Sequence, residues 1–93
     1  MREIRMFPEI GESSVFWEAR GDDIDPSAAE LGLSQALAAA LADWYAFWSE
    51  HSDPFLGWDS AANEHDFLHT GELLREAVQF ELGDDFAVSR LRG

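Results

Sequence analysis

His65 and His69 stand four residues apart, with Glu72 one turn further on and Glu76 beyond it. On a helix these four share a face, and an i, i+4 histidine pair followed by a carboxylate can reach one divalent cation. The histidine pair and its carboxylate lack a fourth ligand within reach of the same ion and have no identified supporting shell. By helical projection it also points away from the apolar stripe of the same segment, so it reads first as a solvated face, and no metal is expected. Asp22-Asp23-Ile24-Asp25 is the densest acidic group. Acid–base catalysis needs a carboxyl whose pKa is raised by burial in a cleft, and a polar turn beside Gly21 provides none. The run also lacks the glycine and distal glutamate of a calcium loop. Ser13, Ser14 and Ser60 lie in no Gly-x-Ser-x-Gly elbow. The chain has no lysine for a phosphate loop and no cysteine for a nucleophile, disulfide or thiolate metal site. Neither catalysis nor a cofactor is expected.

Charge is the stronger signal. The 93 residues carry 19 acids against six basic residues, a formal net charge of −13. Its distribution is uneven. Residues 21–83 hold thirteen acids against Arg75 alone, a net of −12, while residues 1–20 and 84–93 are nearly balanced. Such a field repels nucleic acid and anionic membranes and attracts basic surfaces. A basic protein is therefore the expected partner, without direct nucleic-acid contact or membrane insertion.

The elements that must position these charges follow from hydrophobic period. Ile4, Met6 and Ile10 alternate with Glu3, Arg5 and Glu9, which predicts a half-buried strand. Pro8 lacks a ladder donor and predicts an edge position or a break. Gly11-Glu12-Ser13-Ser14 reads as a turn into a second strand over Val15–Arg20, making a hairpin. Asp25-Pro26-Ser27 can cap a short turn ending at Gly32. Ser34 is the better N-cap for a first helix over about Gln35–Ser49, with Leu33, Leu37, Leu41, Trp44 and Trp48 as its stripe. His51–Trp58 reads as a loop whose Phe55, Leu56 and Trp58 fold back onto the core. A second helix starts at Asp59 or Ser60, carries Phe67, Gly71, Leu74, Val78 and Leu82 inward, and stops at Gly83. Gly71 weakens it unless something packs closely there. A third strand opens at Phe86 and ends near Leu91.

The order ββααβ predicts one α+β domain over residues 1–93, a small antiparallel three-stranded sheet with both helices packed on one face. Leu37, Leu41, Trp44, Trp48, Leu74, Val78 and Phe86 are expected to be buried together. Met1-Arg2-Glu3-Ile4-Arg5 leads into no long apolar run, so neither a signal peptide nor a membrane span is expected, and a cytoplasmic setting fits.

Trp58-Asp59, Gly71-x-x-Leu74 and Glu81-Leu82-Gly83-Asp84-Asp85-Phe86-x-Val88 form a pattern over about a third of the chain. It resembles that of small, acidic, uncharacterised proteins of high-GC bacteria and their phages. Arginine as the sole strong base fits such a genome. The resemblance implies a helix stop followed by a strand and no particular activity.

Acidity combined with the aromatic run Trp44-Tyr45-Ala46-Phe47-Trp48 favours a non-enzymatic protein-binding module. It would inhibit or neutralise a basic partner, as an antitoxin, an immunity protein or a phage protein aimed at a host factor. The contacts expected are rim acids from Asp22, Asp23, Asp43, Glu50, Asp53, Glu64 and Glu72, with Phe47, Phe55 and Trp58 as apolar anchors. Three other readings stand beside it: a DNA mimic that inhibits a DNA-binding protein, a small enzyme or ligand binder, and charge that serves solubility alone. A homodimer through the alanine-smooth side of the first helix is a further arrangement.

Overall fold

In the computed structural model, residues 2–8, 15–18 and 26–90 are described. Strand β1 spans Arg2–Met6 and β2 Phe16–Glu18. Helix α1 spans Gln35–His51, followed by a two-residue strand pair, β3 (Ser52–Asp53) and β4 (Gly57–Trp58). Helix α2 spans Ala61–Leu82 and β5 Phe86–Arg90. The α+β class and the ββααβ order hold, with the β3–β4 hairpin inserted where the sequence reads as a plain loop.

The three-stranded sheet runs β2-β1-β5. Its antiparallel half is as expected, with Ile4 opposite Glu18 and Met6 opposite Phe16. The other half is not. β5 runs parallel to β1, with Arg2 opposite Phe86 and Met6 opposite Arg90, so the sheet is mixed. The reason is the crossover. Two helices separate β2 from β5, enough chain to return to the starting end of the sheet, which a parallel pair requires. β1 is consequently central and not an edge. Pro8 does no harm because the strand ends at Met6, and Phe7 N–H still donates to the Val15 carbonyl at 2.8 Å.

Helix ends obey their local chemistry. Ser34 caps α1, its hydroxyl accepting from Leu37 N–H at 3.2 Å. Ser60, rather than Asp59, caps α2 by accepting from Asn63 N–H at 3.1 Å. Gly83 ends α2 at φ +79°, a conformation open to glycine at little cost. Before α1, Ser27 and Glu30 exchange reciprocal backbone–side-chain bonds of 3.1 Å around a turn over 28–32, the logic of a capping box. The two helices are also tied end to end. Glu81 accepts from both the backbone N–H and the hydroxyl of Ser34 at 2.7 Å, which lowers its pKa.

The core joins Ile4, Met6, Val15, Phe16 and Val88 of the sheet region to Leu37, Leu41 and Trp44 of α1 and to Phe67, Leu74 and Val78 of α2. Trp48 and Phe86, expected inside, are only half-buried and pack on its margin. The outer edge of β5 is covered by α2 side chains. The Gln79 amide donates to the Phe86 carbonyl at 2.8 Å and accepts from Val88 N–H at 2.9 Å, and Arg75 donates to the Val88 carbonyl at 3.2 Å. A side-chain amide thus takes the place of a neighbouring strand and blunts an edge that would otherwise invite pairing. Among the described residues, no helix is long and apolar enough to cross a membrane.

At Gly71, side chains from α1 and β5 both press against α2. A Cβ there would lie 2.8 Å from the Trp44 ring and 2.8 Å from the Arg90 guanidinium. Ordinarily Gly→Ala inside a helix stabilises by roughly 0.5–1 kcal/mol. Here the added methyl overpacks a buried indole, which typically costs about 1–3 kcal/mol. We expect Gly71→Ala to lower stability by about 1–2 kcal/mol in urea denaturation; an unchanged or raised midpoint would mean that Trp44 can withdraw freely.

Candidate partner-binding surface

The aromatic run of α1 is divided by helical geometry. Trp44 turns into the core, where its ring stacks on Phe67 with centroids 4.6 Å apart and planes 6° from parallel. Its indole N–H donates to the Phe67 carbonyl at 3.0 Å, so the buried polar atom is satisfied. Phe47, one turn on, stays half-buried and touches the rings of His51 and Trp58. Tyr45 lies on the other shoulder, beside Val15 and Phe16.

Between the exposed flanks of α1 and α2 runs a groove of about 320 Å³. Its apolar lining is Trp44, Phe47, Phe67 and Leu74, with the smaller Ala40 and Thr70 leaving it open. Asp43 from α1 and Asp66 from α2 stand at its rim, both exposed. Among the described residues neither makes an ion pair or a side-chain hydrogen bond. By helical projection Asp66, Thr70, Leu73 and Phe80 follow one line along α2, and Leu73 and Phe80 extend the apolar exposure beyond the groove.

Trp58 connects the groove to the β3–β4 hairpin. Its ring packs on Phe67 at 5.0 Å and on Phe47 at 6.3 Å, two residues of the groove lining. At the hairpin base Asp59 accepts from Asn63 at 2.9 Å and pairs with His51 at 2.7 Å. Asn63 and His51 both hold its carboxyl below the usual range. At the tip, Asp53 turns inward and accepts from the N–H groups of Phe55 and Leu56 at 2.7 and 2.9 Å. This is an Asx turn followed by Gly57 at φ +78°. The fixed turn projects its two apolar side chains into solvent, Phe55 93% and Leu56 87% exposed. The expectation that they fold back onto the core is therefore wrong. Only Trp58 does so, because a hairpin this tight sends its tip away from the body while its base stays packed.

The structure gathers some of the expected contact residues and disperses others. Asp43 and Phe47 share the groove, and Glu50 follows them on the same side of α1 by helical projection. Phe55, Asp53 and Trp58 belong to the hairpin at its end. Glu64 sits exposed in the first turn of α2, where its charge complements the helix dipole. Glu72 is elsewhere, about a third of a turn round α2 from Asp66 by projection. It is held by Arg75 at 2.8 Å and Arg90 at 3.7 Å, and Arg75 foremost lowers its pKa. Asp22 and Asp23 lie outside the described residues. Glu72 also faces these arginines and not the histidines, whose rings lie parallel 6.4 Å apart. No group of three or more metal-binding side chains is brought together among the described residues.

Sequence reasoning missed Asp66, Thr70 and Leu56. The only signal for the first two is that they lie i, i+4 beside the Phe67–Leu74 stripe. Selecting them requires knowing on which side α1 packs.

The family described as Serratia CdiI immunity protein-like matches the chain over residues 2–91. No curated protein matches it.

Proposed function

The chain belongs to this immunity-protein family, and from that premise we propose that it neutralises a basic toxin through the groove and hairpin end of its helical layer. Membership makes it an immunity-type inhibitor with a toxin protein as partner, in a family that is generally non-enzymatic. Of the settings that the sequence suggests, immunity fits better than a phage protein directed at a host factor. One observation carries the assignment of surface: an apolar groove and an exposed Phe-Leu tip are linked through Trp58, and the groove is flanked by carboxylates that have no cationic partner among the described residues. Apolar area supplies affinity, and the surrounding acids supply steering and partner choice.

The direct test is affinity capture on the tagged chain from its native host, with mass spectrometry of what is retained. A single stoichiometric toxin of high isoelectric point is the expected result. An acidic or neutral toxin would refute the electrostatic part. Competition by duplex DNA would move the reading toward mimicry.

With the toxin in hand, the acids can be tested as a set. Neutralising Asp43, Glu50 and Glu64 together should slow association about tenfold at low salt and flatten its salt dependence, since steering operates over a screening length of about 8–10 Å. Neutralising Glu3, Glu9 and Glu12 should do much less. Equal effects from the two sets, or an association rate indifferent to salt, would return the charge to a role in solubility.

A further inference from the structure

We propose that the groove between α1 and α2 receives an arginine side chain from an exposed segment of a partner protein. The proposal deepens the immunity reading by naming the chemistry of one contact. A space of about 320 Å³ is at the small end of ligand pockets, suited to one long side chain and too small for a helix. Its floor is aromatic and aliphatic, from Trp44, Phe47, Phe67 and Leu74, while its two rim charges, Asp43 and Asp66, come from opposite helices. A complementary group must therefore have an apolar stem and a cationic head. Arginine meets both conditions, since its methylenes cover apolar surface while its planar guanidinium stacks on rings and donates to two carboxylates at once. Lysine offers a compact, strongly hydrated charge that stacks poorly.

Among the described residues, no internal cation takes this position. Arg75 and Arg90 are both engaged with Glu72, and Arg2 with Glu18. Asp59 is held by His51, and Glu81 by Ser34. Asp43 and Asp66 have no such partner among the described residues. An acidic segment is repelled by the net −12 of residues 21–83, and a second copy of the chain brings its own −13. Charge complementarity thus selects a basic partner segment.

The test uses the whole chain, isotopically labelled, titrated at low salt with the peptide acetyl-Leu-Arg-Leu-amide and followed by amide chemical shifts. Saturable shifts are expected at Ala40, Asp43, Phe47, Asp66 and Thr70, with a Kd of about 1–10 mM. Citrulline in place of arginine keeps the shape and removes the charge, and should bind at least tenfold more weakly. The lysine peptide should be intermediate. Asp43→Asn with Asp66→Asn should also lose at least tenfold in affinity, while its melting temperature stays at the wild-type value because both positions are exposed. Absence of saturation, shifts centred elsewhere, or equal binding of the citrulline peptide would overturn the proposal. The titration needs no toxin. A chain that neutralises its toxin yet ignores the arginine peptide refutes the groove alone; one that takes the peptide yet protects against no toxin refutes the immunity reading and leaves the groove standing.

Discussion

Trp44→Ala should destabilise the protein by about 3–5 kcal/mol, the cost usual for removing a buried aromatic. That is a large share of the roughly 5–10 kcal/mol a small domain has in total. The indole is nearly inaccessible, stacks on Phe67 and donates its N–H to the Phe67 carbonyl. Its removal leaves a void at the meeting point of both helices and Arg90, beside a glycine with no side chain to fill it. Such a cavity cannot collapse readily because α1 is fixed at its far end by the Ser34–Glu81 bonds and α2 by the sheet. Trp48→Ala, four residues away, removes a half-buried ring and should cost only about 1–2 kcal/mol. Urea denaturation of the two variants measures the contrast directly. Comparable losses would mean that Trp44 is replaceable and that the core is centred elsewhere.

That contrast shows how far the sequence carries. The stripe Leu37, Leu41 and Trp44 is legible from steps of three and four, since period reports which residues face inward. Period does not report how far along a helix its cover extends. Phe67 of α2 covers Trp44 and Arg90 of β5 lies close by, while Trp48 stays half-buried. Helix boundaries are legible because Ser34, Ser60 and Gly83 act locally on their own backbones. The direction of β5 is not, because parallel or antiparallel pairing depends on where a crossover returns the chain, which no residue in β5 encodes. The groove is hidden for the same reason. Asp43 and Phe47 can be named from their exposure and type, but Asp66 enters the site only once α1 is laid against α2. The hairpin is a nearer miss. Asp53-Pro54 and Gly57 mark a turn plainly, and the error lies in assuming that a phenylalanine and a leucine beside a turn must pack inward.

Phe55→Ala combined with Leu56→Ala should leave stability within about 0.5 kcal/mol of the parent, because neither side chain covers anything. Its effect on toxin affinity should be large. Apolar residues that become buried at the centre of an interface contribute about 2 kcal/mol or more each, so the pair should weaken binding by two to three orders of magnitude, roughly tenfold per 1.4 kcal/mol. The tip suits this role because it is ordered before contact. Asp53 holds the N–H groups of Phe55 and Leu56, Gly57 supplies the left-handed turn, and Trp58 anchors the base on Phe47 and Phe67. A preformed knob loses little conformational entropy on docking. Asp53 then carries two separable roles, a charge near the rim and the acceptor that shapes the turn. Asp53→Asn keeps the acceptor and removes the charge, so it should mainly slow association. Asp53→Ala removes both and should also speed dissociation, since Phe55 and Leu56 must then be ordered during binding. Surface-based kinetics with the captured toxin resolves the two rates. Dissociation equally fast in Asp53→Asn and Asp53→Ala would mean that the carboxylate contacts the toxin itself. A Phe55→Ala/Leu56→Ala protein that binds like the parent would move the anchor from the hairpin to the exposed line of Leu73 and Phe80.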